Sequence, residues 1–311
     1  MSTKPHIENR KEGFKRVHVI VNPAAGKDEP ILGIMNKAFK GAGIDYEVFV
    51  TKEAGDAQRF AEEAVSMGAD LVAVYGGDGT VMEVASGQMG KAIPMAILPG
   101  GTANVMSVEL GIPGDFPSAI ALICRNDYAV RTVDMGRVRD HLFLLRITTG
   151  ITAEMTKHTE REAKNRMGSL AYLISLLRAA PTTPPSHYFI TVDGERVESD
   201  GVACMIANSA SLGIPGLSLS KTVDIADGLL DVIVLSSANL NQLVQVAANA
   251  VGVAQSLPHW QGREITLVAE PPQTVEVDGE VFDPTPITAS VVPSAVRIVV
   301  PANSVPQEAH H

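Results

Sequence analysis

Leu71-Val72-Ala73-Val74-Tyr75-Gly76-Gly77-Asp78-Gly79-Thr80-Val81-Met82-Glu83-Val84-Ala85 changes character twice along its length. Leu71 to Tyr75 are apolar, with β-branched valines, in a run too short for a helix and suited to a strand. From Val81 onward the residues are compatible with a helix. The stretch therefore reads as strand, glycine turn and helix N-terminus. Its glycines let the backbone turn tightly and approach a ligand with no Cβ in the way. The first amides of the following helix have no intrahelical partner and point outward as donors. Such an arrangement suits phosphate. Asp78 places one carboxylate among those donors, which is repulsive beside a phosphate unless a Mg²⁺ ion or a proton is there to accept. The alternative is a tight strand-to-helix turn with an acidic cap.

Working outward, the same alternation recurs on both sides. Val17 to Val21 reads as a strand, followed by the loop Asn22-Pro23-Ala24-Ala25-Gly26-Lys27. That loop has a Gly-Lys pair, but Asp28 stands where a P-loop needs Ser or Thr, so a Walker-type site is not expected. Ile31, Ile34, Met35, Ala38 and Phe39 fall at helical spacing, with Gly41 and Gly43 closing the helix. Tyr46 to Val50 reads as a strand, and Ala57, Phe60, Ala61, Ala64 and Val65 as a helix ended by Gly68. Beyond the glycine turn, Pro94 to Leu98 reads as a strand that enters a second one, Pro99-Gly100-Gly101-Thr102-Ala103-Asn104, with a helix over Val105 to Leu110. Repeated strand–helix alternation predicts a doubly wound parallel sheet with helices on both faces. Ligands of such sheets bind beyond the carboxyl ends of the strands. Asn22, the 76–80 turn and the 100–104 turn are expected to meet there. Neither glycine turn is the G-x-G-x-x-G of a dinucleotide fold, so a redox role is disfavoured.

The second half is richer in strands and turns. Strands are expected over 129–138, 141–148, 187–193, 201–208, 229–235, 263–269, 274–278 and 286–292, with hairpin turns at Asp193-Gly194 and Asp278-Gly279. Helices are expected over Thr156 to Ala180 and Asn239 to Leu257. The chain thus divides into a disordered lead (1–14), an α/β domain (15–133, joined by 295–303) and a mostly antiparallel β domain (134–294).

The whole chain has 311 residues, 45% hydrophobic and 19% charged, with a net charge of −10. It holds ample material for a core. It has no basic surplus to neutralise nucleic-acid phosphates or to be drawn to anionic membranes. Cys124 and Cys204 lie in apolar runs without metal-ligand spacing and read as buried, reduced thiols. Met1 to Gly13 has no apolar core and is no signal peptide. No apolar stretch reaches the roughly 20 residues of a membrane span. A cytoplasmic protein is expected.

Asn22-Pro23, Gly76 to Thr80, Gly101-Thr102-Ala103-Asn104, Asp227-Gly228-Leu229-Leu230-Asp231 and Val277-Asp278-Gly279-Glu280 follow one another in this order. With them the chain resembles the diacylglycerol kinase catalytic-domain family, which includes bacterial lipid kinases and sphingosine kinases. The resemblance runs from about Val17 to Pro301. It implies an N-terminal α/β nucleotide-binding domain, a C-terminal β-sandwich, and transfer of the ATP γ-phosphate to a lipid hydroxyl in the cleft between them, with Mg²⁺. Carried over by position, Asn22, Thr51, Gly76, Gly77, Gly79, Thr80, Gly101, Thr102 and Asn104 line the nucleotide. Asp78 is a base or a Mg²⁺-associated acid. Asp227 and Glu280 bring carboxylates from the second domain, Asp227 with a role toward the metal. Lys164 and Arg166 stand where family members carry basic residues near the phosphates.

Structural readings stand beside these. Thr51 ends a strand. Asp227 fits a turn before Leu229. Asp193-Gly194-Glu195 repeats the Asp-Gly-Glu triplet of 278–280, so the triplet alone marks only a turn. The sequence also departs from the family pattern. Ala103-Asn104-Val105 replaces the common Gly-Asn-Asp, and Gly150-Ile151-Thr152-Ala153 replaces Gly-Phe-Asp-Ala. Two other functions compete: an NAD kinase, which shares GGDGT but should carry an Asn-Glu pair and a Gly-Phe-Leu stretch missing here, and a non-catalytic nucleotide-binding regulatory protein. The implied partner is a lipid at a membrane surface, met reversibly through apolar residues such as Leu240, Leu243, Val244 and Val246 to Val253. The sequence names neither the lipid nor an oligomeric state.

Overall fold

The computed structural model describes residues 7–8, 12–26, 29–150, 184–213, 217–218, 220, 222–236, 252–253 and 257–304. The chain divides into two compact units, Met1–Val133 with Ser294–His311, and Asp134–Pro293.

The first unit opens with a short strand, β1 (Ile7–Glu8), then β2 (Arg16–Val21), α1 (Ile31–Ala42), β3 (Asp45–Val50), α2 (Asp56–Ser66), β4 (Leu71–Gly76), α3 (Asp78–Gln88), β5 (Met95–Pro99), α4 (Val105–Glu109) and α5 (Phe116–Cys124). β1 pairs with the start of β6 (Tyr128–Val138), Ile7 opposite Arg131. The expected disordered lead is therefore partly ordered, and Phe14 near its end is buried and stacked on Tyr128 at 5.0 Å. Gly41 does not end α1. The helix runs to Ala42, and Gly43, at φ 69°, supplies the left-handed residue that closes it. α5 has no counterpart among the expected elements. Asp115 caps it by accepting Ser118 N–H at 2.8 Å, with proline in its first turn.

The sheet order is β5-β4-β2-β3, all parallel, and Ile298, near the end of β19 (Ile287–Pro301), pairs in parallel with Met95. From β2 the chain steps outward to β3, then returns across β2 to β4 and on to β5. Right-handed crossovers in opposite directions put their helices on opposite faces. Accordingly α2 packs with α3, and α1 with α5. Gly87 lets α2 and α3 approach: a Cβ there would lie 2.5 Å from the Gln58 carbonyl oxygen. Gln88, 1% exposed, donates to Ala61 O at 2.5 Å across the same seam.

His18 sits in the middle of β2, 1% exposed, with neither ring nitrogen hydrogen-bonded and Phe49 at 5.1 Å. Burial holds its pKa below the ordinary 6.5, Glu47 opposing and Arg16 assisting. The folded state keeps this ring neutral while the unfolded chain takes a proton, so stability is lost as pH falls below about 6.5. His18→Leu is expected to flatten the fall of Tm between pH 7 and pH 5. It should also gain about 1 kcal/mol at neutral pH, since two unpaired polar atoms leave the core. An equally steep fall in both proteins would refute the assignment.

The second unit is antiparallel. One sheet joins β9 (Ser186–Val192) to β10 (Glu195–Gly201) and β16 (Glu264–Glu270), and β16 to the first part of β19. A second, of six strands, has the order β15 (His259–Gly262), β13 (Leu230–Leu235), β11 (Ala203–Ala207), β8 (Arg146–Gly150), β17 (Val275–Val277), β18 (Glu280–Phe282). Phe143, Ile147, Tyr188, Ile190, Cys204, Ile206, Val232, Ile265, Leu267 and Val275 form the shared core of this sandwich. The expected strand over 141–148 is broken into β7 (His141–Phe143) and β8, because the amides between them are drawn to Asp278. β10, polar and at a sheet edge, was not foreseen, since ERVESD has no apolar alternation to reveal it.

Residues 156–180 and 239–251, expected to be helical, lie outside the described residues. Gly252–Val253, expected in the second of those helices, is instead strand β14, paired in parallel with β12 (Leu217–Ser218). Cys204 is buried as expected, while Cys124 is only partly so; burial pushes both thiols up.

Candidate active site

The point where the strand order reverses lies between β2 and β4, and a doubly wound sheet opens its crevice there. The loops leaving those two strands are joined across it. Asn22 N–H donates to Tyr75 O at 2.9 Å, and Asn22 Nδ2 donates to Thr80 Oγ1 at 2.9 Å. Asn22 Oδ1 accepts Ala24 N–H at 2.9 Å, which folds its own loop. The loop after β5 is tied in next, Gly100 N–H donating to Gly76 O at 2.9 Å. The three loops that the alternation placed at one edge thus meet in one place.

The 76–80 segment is tighter than a glycine turn. Gly76 still belongs to β4 and Asp78 already to α3, leaving Gly77 alone between them, in extended backbone. The N-cap residue of α3 is Gly77, which has no side chain to bond the helix's first amides. The first amides of a helix have no intrahelical partner and point outward as donors. Space around them is kept by the absence of side chains. A Cβ on Gly101 would fall 2.6 Å from Gly77 Cα, and one on Gly76 would fall 2.6 Å from Thr80 Cβ, while Gly79 is exposed with nothing near its missing Cβ. The second loop is braced by Asn104, at φ 46°, whose Oδ1 accepts Gly101 N–H at 2.8 Å and whose Nδ2 donates to Gly101 O at 2.7 Å. Thr102 is exposed at its tip. A helix start with a glycine N-cap and a cradle that a Cβ would fill fit a phosphate group.

Asp78 stands at the start of α3, half-buried, and its Oδ1 accepts Met106 N–H at 3.2 Å. It so caps α4, whose own N-cap residue Asn104 makes no side-chain bond to that helix. Among the described residues no three acidic, imidazole or thiol groups converge as a metal cage. Mg²⁺ ordinarily takes one or two carboxylates together with substrate phosphates, and a metal arriving with a nucleotide fits that donor set. Thr51 lies beyond the end of β3, 9% exposed, its N–H on Val21 O at 2.9 Å and its hydroxyl near the same oxygen at 3.5 Å. The geometry around Thr51 is that of a strand end.

In the second unit, Asp227 lies in the loop before β13. Its Oδ1 accepts Leu229 N–H at 2.9 Å, the turn geometry anticipated for it. Burial pushes its pKa up to about 6. The Leu229 amide opposes the shift, and the charges of Asp231, Asp224 and Asp134 add to it. Asp134 steadies the same loop, Oδ2 accepting Gly228 N–H at 2.6 Å. Glu280 is exposed at the start of β18, just past the hairpin turn whose Asp278 and Gly279 have φ 45° and 92°. Lys164 and Arg166 lie outside the described residues.

Asp278, Asp193, Asp134 and Tyr75 were not singled out as site residues in the sequence. Asp278 accepts the N–H groups of Leu144, Leu145 and Arg146 at 2.8, 3.0 and 2.9 Å. Burial still pushes its pKa up to about 6 against those amides. Its counterpart Asp193 does the same for Arg263 and Glu264. The paired Asp-Gly turns were the available signal: each turn aspartate clamps a neighbouring strand. Asp134 and Tyr75 carried no signal, because each sits inside an expected strand and outside the motifs.

Comparison with known proteins agrees with this layout. The family model for the diacylglycerol kinase catalytic domain matches residues 16–138. That for the YegS C-terminal NAD kinase beta sandwich-like domain matches residues 146–300. A Klebsiella pneumoniae protein named "Probable lipid kinase YegS-like" is 32% identical, over 89% of this chain and 93% of its own length. A diacylglycerol kinase of Bacillus subtilis is 29% identical, over 76% of this chain and 79% of its own. The crystal structure of a diacylglycerol kinase from Bacillus anthracis superposes with a TM-score of 0.79 at 29% identity, covering 95% of this chain and all of that one. With both halves matched in order and a relative aligned over nearly its whole length, the chain belongs to the diacylglycerol kinase catalytic-domain family of lipid kinases.

Proposed function

We propose that the protein transfers the γ-phosphate of ATP to the hydroxyl of a lipid, diacylglycerol-like or sphingoid. The observation that carries this reading is the N-terminus of α3, with glycine as its N-cap, held between the Asn22 and Gly101 loops with Asp78 in its first turn. Amides of the 76–80 and 101–104 segments, with Asn22, Thr80 and Thr102, would orient the phosphates, and Thr51 would border the nucleotide. Asp78 would accept the proton of the attacking lipid hydroxyl as its oxygen bonds the γ-phosphorus and ADP leaves. Asp227 and Glu280 would supply further carboxylates, with Asp78 and Asp227 as those open to a metal. Mg²⁺, when bound with the nucleotide, neutralises charge on the phosphate oxygens.

The test is a panel of lipid alcohols in mixed micelles with labelled ATP and Mg²⁺. Labelled lipid is the expected product. ATP binding without transfer to any lipid would instead favour a non-catalytic nucleotide-binding protein.

We further propose a cytoplasmic enzyme that meets its lipid by reversible, peripheral association. No helix among the described residues is long and apolar enough to cross a membrane, and the net charge is −10. Attraction to vesicles should then be apolar and depend weakly on salt. In a vesicle flotation assay, binding that collapses between low and moderate salt would count against it.

A further inference from the structure

Tyr75 belongs to none of the motifs, yet segments of the candidate site converge on it. Its carbonyl accepts Asn22 N–H at 2.9 Å. Its side chain is 4% exposed and meets Phe116 edge-on, with ring centroids 5.3 Å apart. The nearby glycines record how closely backbone approaches it. A Cβ on Gly26, at φ +105°, would fall 2.0 Å from Tyr75 Oη. One on Gly100 would fall 3.1 Å from Cε2 and Cζ of the same ring. The loop after β2 therefore rests on the phenol oxygen, and the loop after β5 rests on the ring.

The first loop, Pro23-Ala24-Ala25-Gly26, carries only small side chains. Asn22 folds this loop on itself, its Oδ1 accepting Ala24 N–H and its carbonyl accepting Ala25 N–H, and Tyr75 is the surface the loop rests on. Backbone groups that hold phosphate gain affinity when they are fixed in place beforehand, and little if they must be ordered on binding.

We propose that Tyr75 is a positioning residue for the nucleotide: its side chain sets the separation of the loops after β2 and β5, and with it the fit of phosphates at the start of α3. The inference rests on the proposed function of those loops and adds a residue outside them. It predicts that the aromatic side chain governs nucleotide affinity while touching none of the reacting atoms.

The experiment is a double-mutant cycle of Tyr75→Phe with Gly26→Ala, together with Tyr75→Leu, on the full chain. It reads the Kd of Mg·ATP by calorimetry, KM and kcat with lipid, and Tm. Tyr75→Leu is expected to raise Kd and KM for ATP by about tenfold or more, with kcat within about threefold, the signature of lost ground-state positioning. Tyr75→Phe keeps the contact with Gly100 and should fall between wild type and Leu. Gly26→Ala should weaken binding strongly in the wild type and less in the Phe background. The 2.0 Å clash with Oη is then gone, and the milder approach to Cζ and Cε1, at 2.9 and 3.2 Å, remains with the cost of the positive φ. The proposal is overturned if folded Tyr75→Leu binds Mg·ATP as wild type does. It is equally overturned if Gly26→Ala weakens binding by the same factor in both backgrounds, an outcome readable even where the Leu variant does not fold. A wild-type protein that binds no Mg·ATP would remove the proposed function, and this inference with it.

Discussion

Asp78→Asn is expected to lower kcat for lipid phosphorylation by about 10²–10⁴-fold, the range a positioned general base supplies. The fold should survive. Asparagine keeps the size of the side chain and an oxygen that can accept Met106 N–H, the bond that ties α3 to α4. Tm is therefore the control, and it should move little. The magnesium dependence separates the two roles open to this carboxylate. If Asp78 is the base, the apparent Mg²⁺ requirement stays where it was. If it holds the metal, raising Mg²⁺ recovers part of the lost rate. The base role is the one predicted, because the start of α3, with glycine as its N-cap, would supply amide donors for phosphate, and the carboxylate would then serve the proton. Wild-type-like turnover by a folded Asp78→Asn protein would leave the motif with its structural role alone.

The first unit was legible in the sequence because each of its signals is local. Strand, glycines and helix follow one another within 71–88, and the period of the apolar residues changes where the element changes. The meeting of three loops could be foreseen because strand alternation fixes which ends lie together. What stayed hidden depends on partners distant in the chain. Asp278 clamps amides at 144–146, so the break between β7 and β8 has its cause far from the break itself. Tyr75 looks like any aromatic at the end of a buried strand until Gly26 and Gly100 are seen against it. β10 escaped because a polar edge strand has no apolar face to betray it. In the second unit Asp227 has two readings from sequence, turn residue and site residue. The Leu229 bond establishes the first without excluding the second, since a carboxylate with one oxygen in a turn keeps the other.

Asp227→Asn separates those readings and is expected to lower kcat by about 10²-fold or more, the scale on which loss of a preorganised charged partner acts. Asparagine can still accept Leu229 N–H, so a residue that served only the turn would leave the activity of the folded protein intact. The pH dependence gives a second handle. Burial, with Asp231, Asp224 and Asp134 nearby, pushes the Asp227 carboxyl up to about 6 from an ordinary 3.8. Between those values the folded state holds a proton that the unfolded chain has released, so this group's contribution to stability falls as pH rises through the window. The Tm of the wild type relative to Asp227→Asn should accordingly decline from about pH 4 to about pH 6 and level off above. Activity should run the other way. If the ionised carboxylate takes part in transfer, wild-type kcat rises through about pH 6, and the residual rate of Asp227→Asn lacks that limb. Thermal melts and rate profiles measured on both proteins over the same pH range decide it. A folded Asp227→Asn enzyme with full activity and an unchanged acid limb would return Asp227 to the turn.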